Sequence, residues 1–299
     1  MKRIIFLLLI ILPKISLCDT IDMNVILESA RNNCIGIADE ITNIKNKNIG
    51  NITVSSIGAV AAGGALYAGI TKEQIDKKLA EIEKSIQSAE NLSDEEFVDF
   101  LVDWYETQNT LEEMQEYQEL TDDSKQHGNI RTGLMATNTA TAITNTALSG
   151  NIKNQSEDVS EQIKLCLKSI SELTPIMGQM YISGNKSDRE YLQNIINTCE
   201  EFHLYDIDKV TNANIASLAT SSANIATAAT ATITSALANS TDIRNGDPTK
   251  EKRLNKTANA FSGISAGISA TSSILNATTI KTIRNIQSVA QRCEGALTQ

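Results

Sequence analysis

The chain has 299 residues, with 36 acidic against 26 basic side chains and a formal charge of −10. So acidic a polymer is repelled by phosphate backbones and by anionic lipid headgroups, which argues against nucleic acid as a partner. Three prolines and 4% aromatic residues, in stretches of long helical periodicity, favour helices over a β-sandwich.

Lys2 and Arg3 give a short basic start, 4–12 is an uninterrupted apolar run, and Pro13 leads to Ser16-Leu17-Cys18. This is the three-part layout of a secretory signal peptide. The apolar core is too short to span a bilayer as a stable helix. Ser16 and Cys18 supply the small residues a signal peptidase reads, so cleavage is expected after Cys18, with a periplasmic or extracellular destination. A lipid-anchored Cys18 is disfavoured because a bacterial lipobox needs a small residue where Leu17 stands. Losing Lys2, Arg3 and Lys14 takes the charge from −10 to −13.

Cys34, Cys166, Cys199 and Cys293 remain. An even number in an exported chain points to two disulfides. Four buried thiols are the plainer alternative, since Cys packs as a small hydrophobe. None of the four has a Cys or His at zinc-finger spacing, so no metal is expected.

The first of four charge-free stretches is 48–71; the others are 132–152, 211–241 and 257–280. All are rich in Ala, Thr, Ser, Gly and Asn. Within the first, 52–70 is the segment that most resembles a bilayer helix in length and apolarity. Asn138, Asn145, Asn212, Asn214, Asn224 and Asn239 in the second and third are poor lipid-facing residues and argue against spanning. Pairs such as Ala59/Gly63, Ala65/Gly69 and Gly263/Gly267, four apart, allow close helix contact. These helices are expected to form the small-residue centre of a bundle. A β reading of the Thr-rich runs is opposed by their Ala content.

Ile75, Leu79, Ile82, Ile86 and Ala89 follow at alternating steps of four and three, a helical stripe, with Lys77, Lys78, Glu81 and Lys84 facing away. Ser93-Asp94-Glu95-Glu96 reads as a capping box opening the next helix. The acidic insertion 94–123 is expected to form a separate helix or hairpin. It holds Phe97, Phe100, Trp104 and Tyr105, which are the candidate partner-binding residues because aromatic side chains anchor interfaces. His127 before Gly128 reads as a solvated linker histidine.

Val159, Ile163, Cys166, Ile170 and Leu173 make a second stripe that ends at Pro175. Gly184 and Asn185 suit a helix C-terminus, and Ser187-Asp188-Arg189-Glu190 a second capping box. His203 sits near a helix end, a capping or packing position. Asn245-Gly246-Asp247-Pro248 breaks the chain between two helices. Phe261, Ile264, Ile268, Thr271 and Leu275 form a third stripe, expected to pack inward.

Leu27, Asn32 and Cys34 share their spacing with Leu192, Asn197 and Cys199, and two uncharged helices and a closing Cys follow each set. This suggests an internal duplication: after the signal at 1–18, a first helical hairpin at 19–180 and a second at 187–299, packed as one bundle. If the uncharged helices of each half pack antiparallel, Cys34 comes level with Cys166 and Cys199 with Cys293, which predicts those pairs. Closing loops that long removes on the order of 4 kcal/mol of unfolded-state entropy each.

The fold class expected is therefore all-α, a bundle of long antiparallel helices with Ala/Thr/Ser/Gly core helices. No catalytic, cofactor or metal motif stands out, and an enzyme is not expected. Gly63-Gly64 lacks the Lys-Ser/Thr of a phosphate loop, Asp122-Asp123 reads as a solvated acidic face, and no calcium loop occurs. Asn51, Asn255 and Asn276 stand in Asn-x-Ser/Thr sequences. A glycan on Asn276 would not fit a packed helix, which favours a bacterial envelope. The leading expectation is an exported structural or interaction protein with an unknown partner or self-association.

Long amphipathic helices around one Gly/Ala-rich apolar segment give a layout that resembles α-helical pore-forming toxins. The likeness implies, as the alternative, a membrane-active protein with 52–70 as its inserting segment.

Overall fold

The computed structural model describes residues 23–90, 109–183 and 186–299. The signal peptide, the first capping box, Phe97, Phe100, Trp104, Tyr105, Gly184 and Asn185 lie outside the described residues. Among the described residues every regular element is helical: α1 (Met23–Cys34), α2 (Ile37–Glu90), α3 (Asn109–Ser171), α4 (Leu173–Ser183), α5 (Lys186–Glu200), a 3-10 turn (Glu201–Leu204), α6 (Asp208–Ala238), α7 (Thr241–Gly246) and α8 (Pro248–Thr298).

The long helices obey one rule: their buried side chains recur at steps of three and four. In α3 the buried series runs Arg131, Met135, Asn138, Ala142, Asn145, Ser149, Ile152, Ser156, Val159, Ile163, Cys166 and Ile170. That seven-residue repeat keeps one seam of a helix facing its neighbours, as in a coiled coil. The frame never slips, but the chemistry along it changes from Ile and Val to Asn and Ser.

Several local expectations meet this frame differently. Val159, Ile163, Cys166, Ile170 and Leu173 are all buried. The stripe Phe261–Leu275 is displaced by one residue: Ile264 is exposed, and the buried series is Ser262, Ser265, Ser269, Ser272 and Asn276. Both series have the right spacing. The serine series wins because it stays in register with Ile283, Ile286, Ala290, Cys293 and Leu297 further along α8, and a helix cannot change face without breaking its repeat. His127 is not in a linker, because α3 runs unbroken from the acidic residues 109–123 into the uncharged stretch. Its Nδ1 lies 2.9 Å from the Asp123 carbonyl. Pro175 sits in the first turn of α4, where its missing N–H costs nothing. Asp247 caps α8 by accepting from the Lys250 N–H at 2.9 Å, with Pro248 opening the helix.

The chain divides into two compact units, one of Met1–Asn46, Lys153–Thr211 and Thr279–Gln299, the other of Lys47–Ile152 and Asn212–Thr278. The first has an ordinary apolar core, with Leu27, Ile37, Ile41, Val159, Leu192, Ile195 and Ile283 buried. Gly36 takes φ +99 at the turn between α1 and α2, a backbone state that glycine adopts at little cost. The exposed N–H groups at the start of α2 are met by Glu294 Oε1, which accepts from Gly36 and Ala38 at 3.0 and 2.9 Å. A carboxylate there also suits the positive end of the helix. Arg31 Nε donates to the Leu297 carbonyl at 2.7 Å, tying α1 to the end of α8.

In the second unit four helical segments pair antiparallel. Asn51 meets Ser149 while Gly69 meets Arg131; Ser149 meets Ser217 while Arg131 meets Ser235. Ser217 meets Asn276 while Asn224 meets Ser265 and Ser269, and α8 returns to α2 through Asn276 with Asn48. The four segments thus close on one another as a four-helix bundle.

Candidate functional site

In the first unit each of four helices brings one cysteine to the same place. Cys34 bonds Cys166, with Cα atoms 4.8 Å apart, and Cys199 bonds Cys293, with Cα atoms 4.7 Å apart. These are the pairs that the spacing argument predicts. The sulfurs of Cys34, Cys166 and Cys293 lie within 4.8 Å of one another, so the two bridges are neighbours. All four cysteines are buried. A bridged pair holds no metal, and the chemistry of this layer is covalent fastening. Disulfides suit an oxidising compartment.

The interior of the second unit is polar. Asn145 Nδ2 donates to Ser221 Oγ and to Ser272 Oγ. Ser272 meets Ser217 at 2.8 Å, and Ser217 meets Ser149 at 3.0 Å. Asn51 Nδ2 donates to Ser149 Oγ at 2.8 Å. Two turns on, Asn138 Nδ2 donates to Ser265 Oγ at 2.6 Å, and Asn224 Nδ2 to Ser269 Oγ at 2.8 Å. A buried amide is tolerable only with such partners, since an unmet polar group costs about 1–3 kcal/mol. Gly58 makes the close approach possible: a Cβ there would stand 2.7 Å from Thr141 Oγ1 and 2.9 Å from Asn138 Oδ1. Beyond these layers comes a small apolar one of Ala62, Ala65, Met135, Ala228 and Ala231. The sequons at Asn51, Asn255 and Asn276 all have buried asparagines, so a glycan does not fit the folded chain at any of them.

The seam then becomes ionic. Lys72 is fully buried, and its Nζ lies 2.7 Å from both Asp76 Oδ2 and Glu251 Oε1. Ser124 Oγ donates to Asp76 Oδ1 at 2.6 Å. Arg131, also buried, donates from Nε to Ser235, from Nη1 to Asn259 and from Nη2 to Asn255. Burial lowers its pKa to about 10, against the opposing pull of Asp76 and Glu251. A cavity of about 790 Å³ opens beside these groups, with walls of mixed sign that include Glu73, Arg244 and Lys256. Cations and carboxylates neutralise each other across it, an arrangement suited to holding helices in register.

The outer face reverses the usual order, for it carries much of the apolar bulk. Val60 is 77% exposed, Ile143 54%, Ile233 59% and Ile274 65%, one on each of the four helices. The seam is harder to find in the sequence than the stripe of large apolar residues in α8, which flanks it: Phe261, Ile268 and Leu275 are half-buried and Ile264 is exposed. The usable signal was the spacing of Asn138 and Asn145, seven apart, and of Asn214, Ser217, Ser221 and Asn224, at steps of three and four. The aromatic candidates of the acidic insertion lie outside the described residues, and none of the described clusters includes them.

Compared with known families, curated proteins and solved structures, the chain matches none.

Proposed function

We propose that the chain is an exported helical scaffold of the bacterial cell envelope, which works by contact and performs no reaction. The observation that carries this reading is the pair of adjacent disulfides that fasten four helices in one layer. Paired cysteines need an oxidising compartment, and a basic start followed by the apolar run 4–12 is the address that leads there. The described helices put their polar side chains into bonded layers, where they specify which helix meets which and at what register. The halves 19–180 and 187–299 descend, on this reading, from one duplicated hairpin, each closed by its own bridge. Phe97, Phe100, Trp104 and Tyr105 form the contact surface for a protein partner or a second copy.

Expression of the full chain in a bacterial host, followed by fractionation and peptide mapping without reductant, tests this. The expected product begins at Asp19, lies outside the cytoplasm and contains Cys34–Cys166 and Cys199–Cys293. A cytoplasmic product with its leader intact and four free thiols would overturn the reading.

A further inference from the structure

We propose that the uncharged section of the second unit is built to sit in a lipid bilayer, with acyl chains against all four of its helices. The inference rests on the side-chain arrangement of this unit and not on the scaffold reading.

The first support is length. The stretches 48–71, 132–152, 212–241 and 257–278 contain no Asp, Glu, Lys or Arg. At about 1.5 Å per residue even the shortest covers roughly 30 Å, the thickness of a bilayer's hydrocarbon core. Charge returns at one end of this section, where Lys72, Asp76, Arg131 and Glu251 meet.

The second is distribution. Exposed Val60, Ile143, Ile233 and Ile274 fall on four different helices of a closed bundle. A protein partner or a second copy covers one side of such a bundle and leaves the opposite helices bare. A medium that reaches every helix is lipid.

The third is the treatment of polar groups. Exposed threonines do not aim their hydroxyls at solvent. Thr53, Thr137, Thr144, Thr230 and Thr271 each donate to the carbonyl four residues back, at 2.8–3.1 Å. In hydrocarbon that carbonyl is the partner within reach, and a hydroxyl left without one is costly. Of the six asparagines that weigh against lipid contact in the sequence, Asn138, Asn145, Asn214 and Asn224 are buried in the seam, while Asn239 is half-buried and Asn212, at the end of its uncharged stretch, is exposed. Small residues between the helices provide the close packing that holds helices together where no water drives them.

Average hydropathy hides this. Among the described residues one helical segment, in 23–82, meets an apolarity test for a membrane span, with mean hydropathy 1.4. The average counts inward Asn and Ser equally with outward Ile and Val, so a helix with a polar seam scores low whatever its outer face.

The test uses the full oxidised chain with vesicles of phosphatidylcholine and phosphatidylglycerol. Flotation alone would mislead, because 4–12 is itself apolar, so the readout is position. A lipid-soluble carbene reagent is activated in the vesicles and its adducts are mapped by mass spectrometry. Adducts are expected on Val60, Ile143, Ile233 and Ile274. The double variant Ile143→Lys/Ile274→Lys changes two outward positions. It should keep its helical circular dichroism and both disulfides, while adducts at Val60 and Ile233 fall about tenfold or more. Absence of adducts at the four positions, adducts confined to one or two helices, or undiminished labelling in the variant would overturn the proposal. So would a lipid-free oligomer that protects the same positions and that the variant dissociates, which assigns the surface to a second copy. Each of these failures leaves the scaffold reading standing.

Discussion

The amide of Asn145 donates to Ser272 Oγ at 2.8 Å, inside a seam where coiled coils ordinarily carry branched apolar side chains. The same amide reaches Ser221, so one residue joins three helices. Asn145→Ala removes both donors and leaves a void. The expected loss of unfolding free energy is about 1–3 kcal/mol. Asn145 Oδ1 has no donor of its own, which places the loss toward the lower end. Thr144→Ala, one residue away and exposed, should stay within roughly 0.5 kcal/mol. Urea titration of both variants decides the matter, and equal effects would mean that the seam bond contributes nothing.

The glycines separate close contact from open space. A Cβ on Gly69 would stand 1.8 Å from Asn259 Oδ1, the atom that accepts from Arg131 Nη1 at 3.2 Å. Gly69→Ala must therefore push Asn259 off the guanidinium, at a cost of about 1–3 kcal/mol. Gly133 has nothing within 4 Å of the same added atom and lies inside α3. Gly133→Ala should stabilise by about 1 kcal/mol through helix propensity alone. Opposite signs in thermal unfolding are the expected result.

These examples mark what was legible. Helix class and cysteine pairing followed from periodicity and from the distance of each cysteine to the uncharged stretches, both of which depend on backbone rise and little else. The face of α8 did not follow. Two stripes of equal spacing compete there, and preferring the one with Phe261 and Ile264 assumes that large apolar residues take the centre of the seam, whereas Phe261 only flanks it. That assumption fails where Ser265 and Ser272 have amide partners on other helices, because hydrogen bonds then offset the cost of burying polar groups. Partners on other helices are long-range information that no local window contains. The frame itself was readable: Asn138 and Asn145 stand in strict register with Val159 and Cys166 further along α3.

Neighbouring disulfides imply an exchange reaction. Cys166→Ser leaves Cys34 as a free thiol whose sulfur lies within 4.8 Å of Cys293. The Cys34 thiolate attacks Cys293, the Cys199–Cys293 bond breaks, and Cys199 departs as thiolate. No outside oxidant is needed, since one disulfide replaces another. Mass spectrometry of the alkylated variant should find Cys34–Cys293 together with alkylated Cys199. Loss of a native bridge should also lower stability by about 2–5 kcal/mol. A variant that retains Cys199–Cys293 alone after incubation at alkaline pH would show that the two bridges do not communicate.

Arg131 carries its charge into the protein, and its stability contribution should depend on pH in a definite direction. Its folded pKa is lowered to about 10, first by burial, with Asp76 and Glu251 opposing. The unfolded value is higher. Below pH 10 both states hold the proton, and the folded state bears the full cost of burying the cation. Above pH 10 the folded state releases the proton while the unfolded state keeps it. The unfolded state then binds more protons, so this residue's contribution rises with pH. Lys72, Asp76 and Glu251 lie close by, so the measurement must be a difference. Arg131→Met keeps the bulk and all three of those neighbours and removes the titration. The unfolding free energy of the native chain minus that of the variant should be flat from pH 7 to about 9 and then climb by up to roughly 1.4 kcal/mol per pH unit. A difference that stays flat or falls above pH 10 would mean that the guanidinium is held as comfortably inside the bundle as in water.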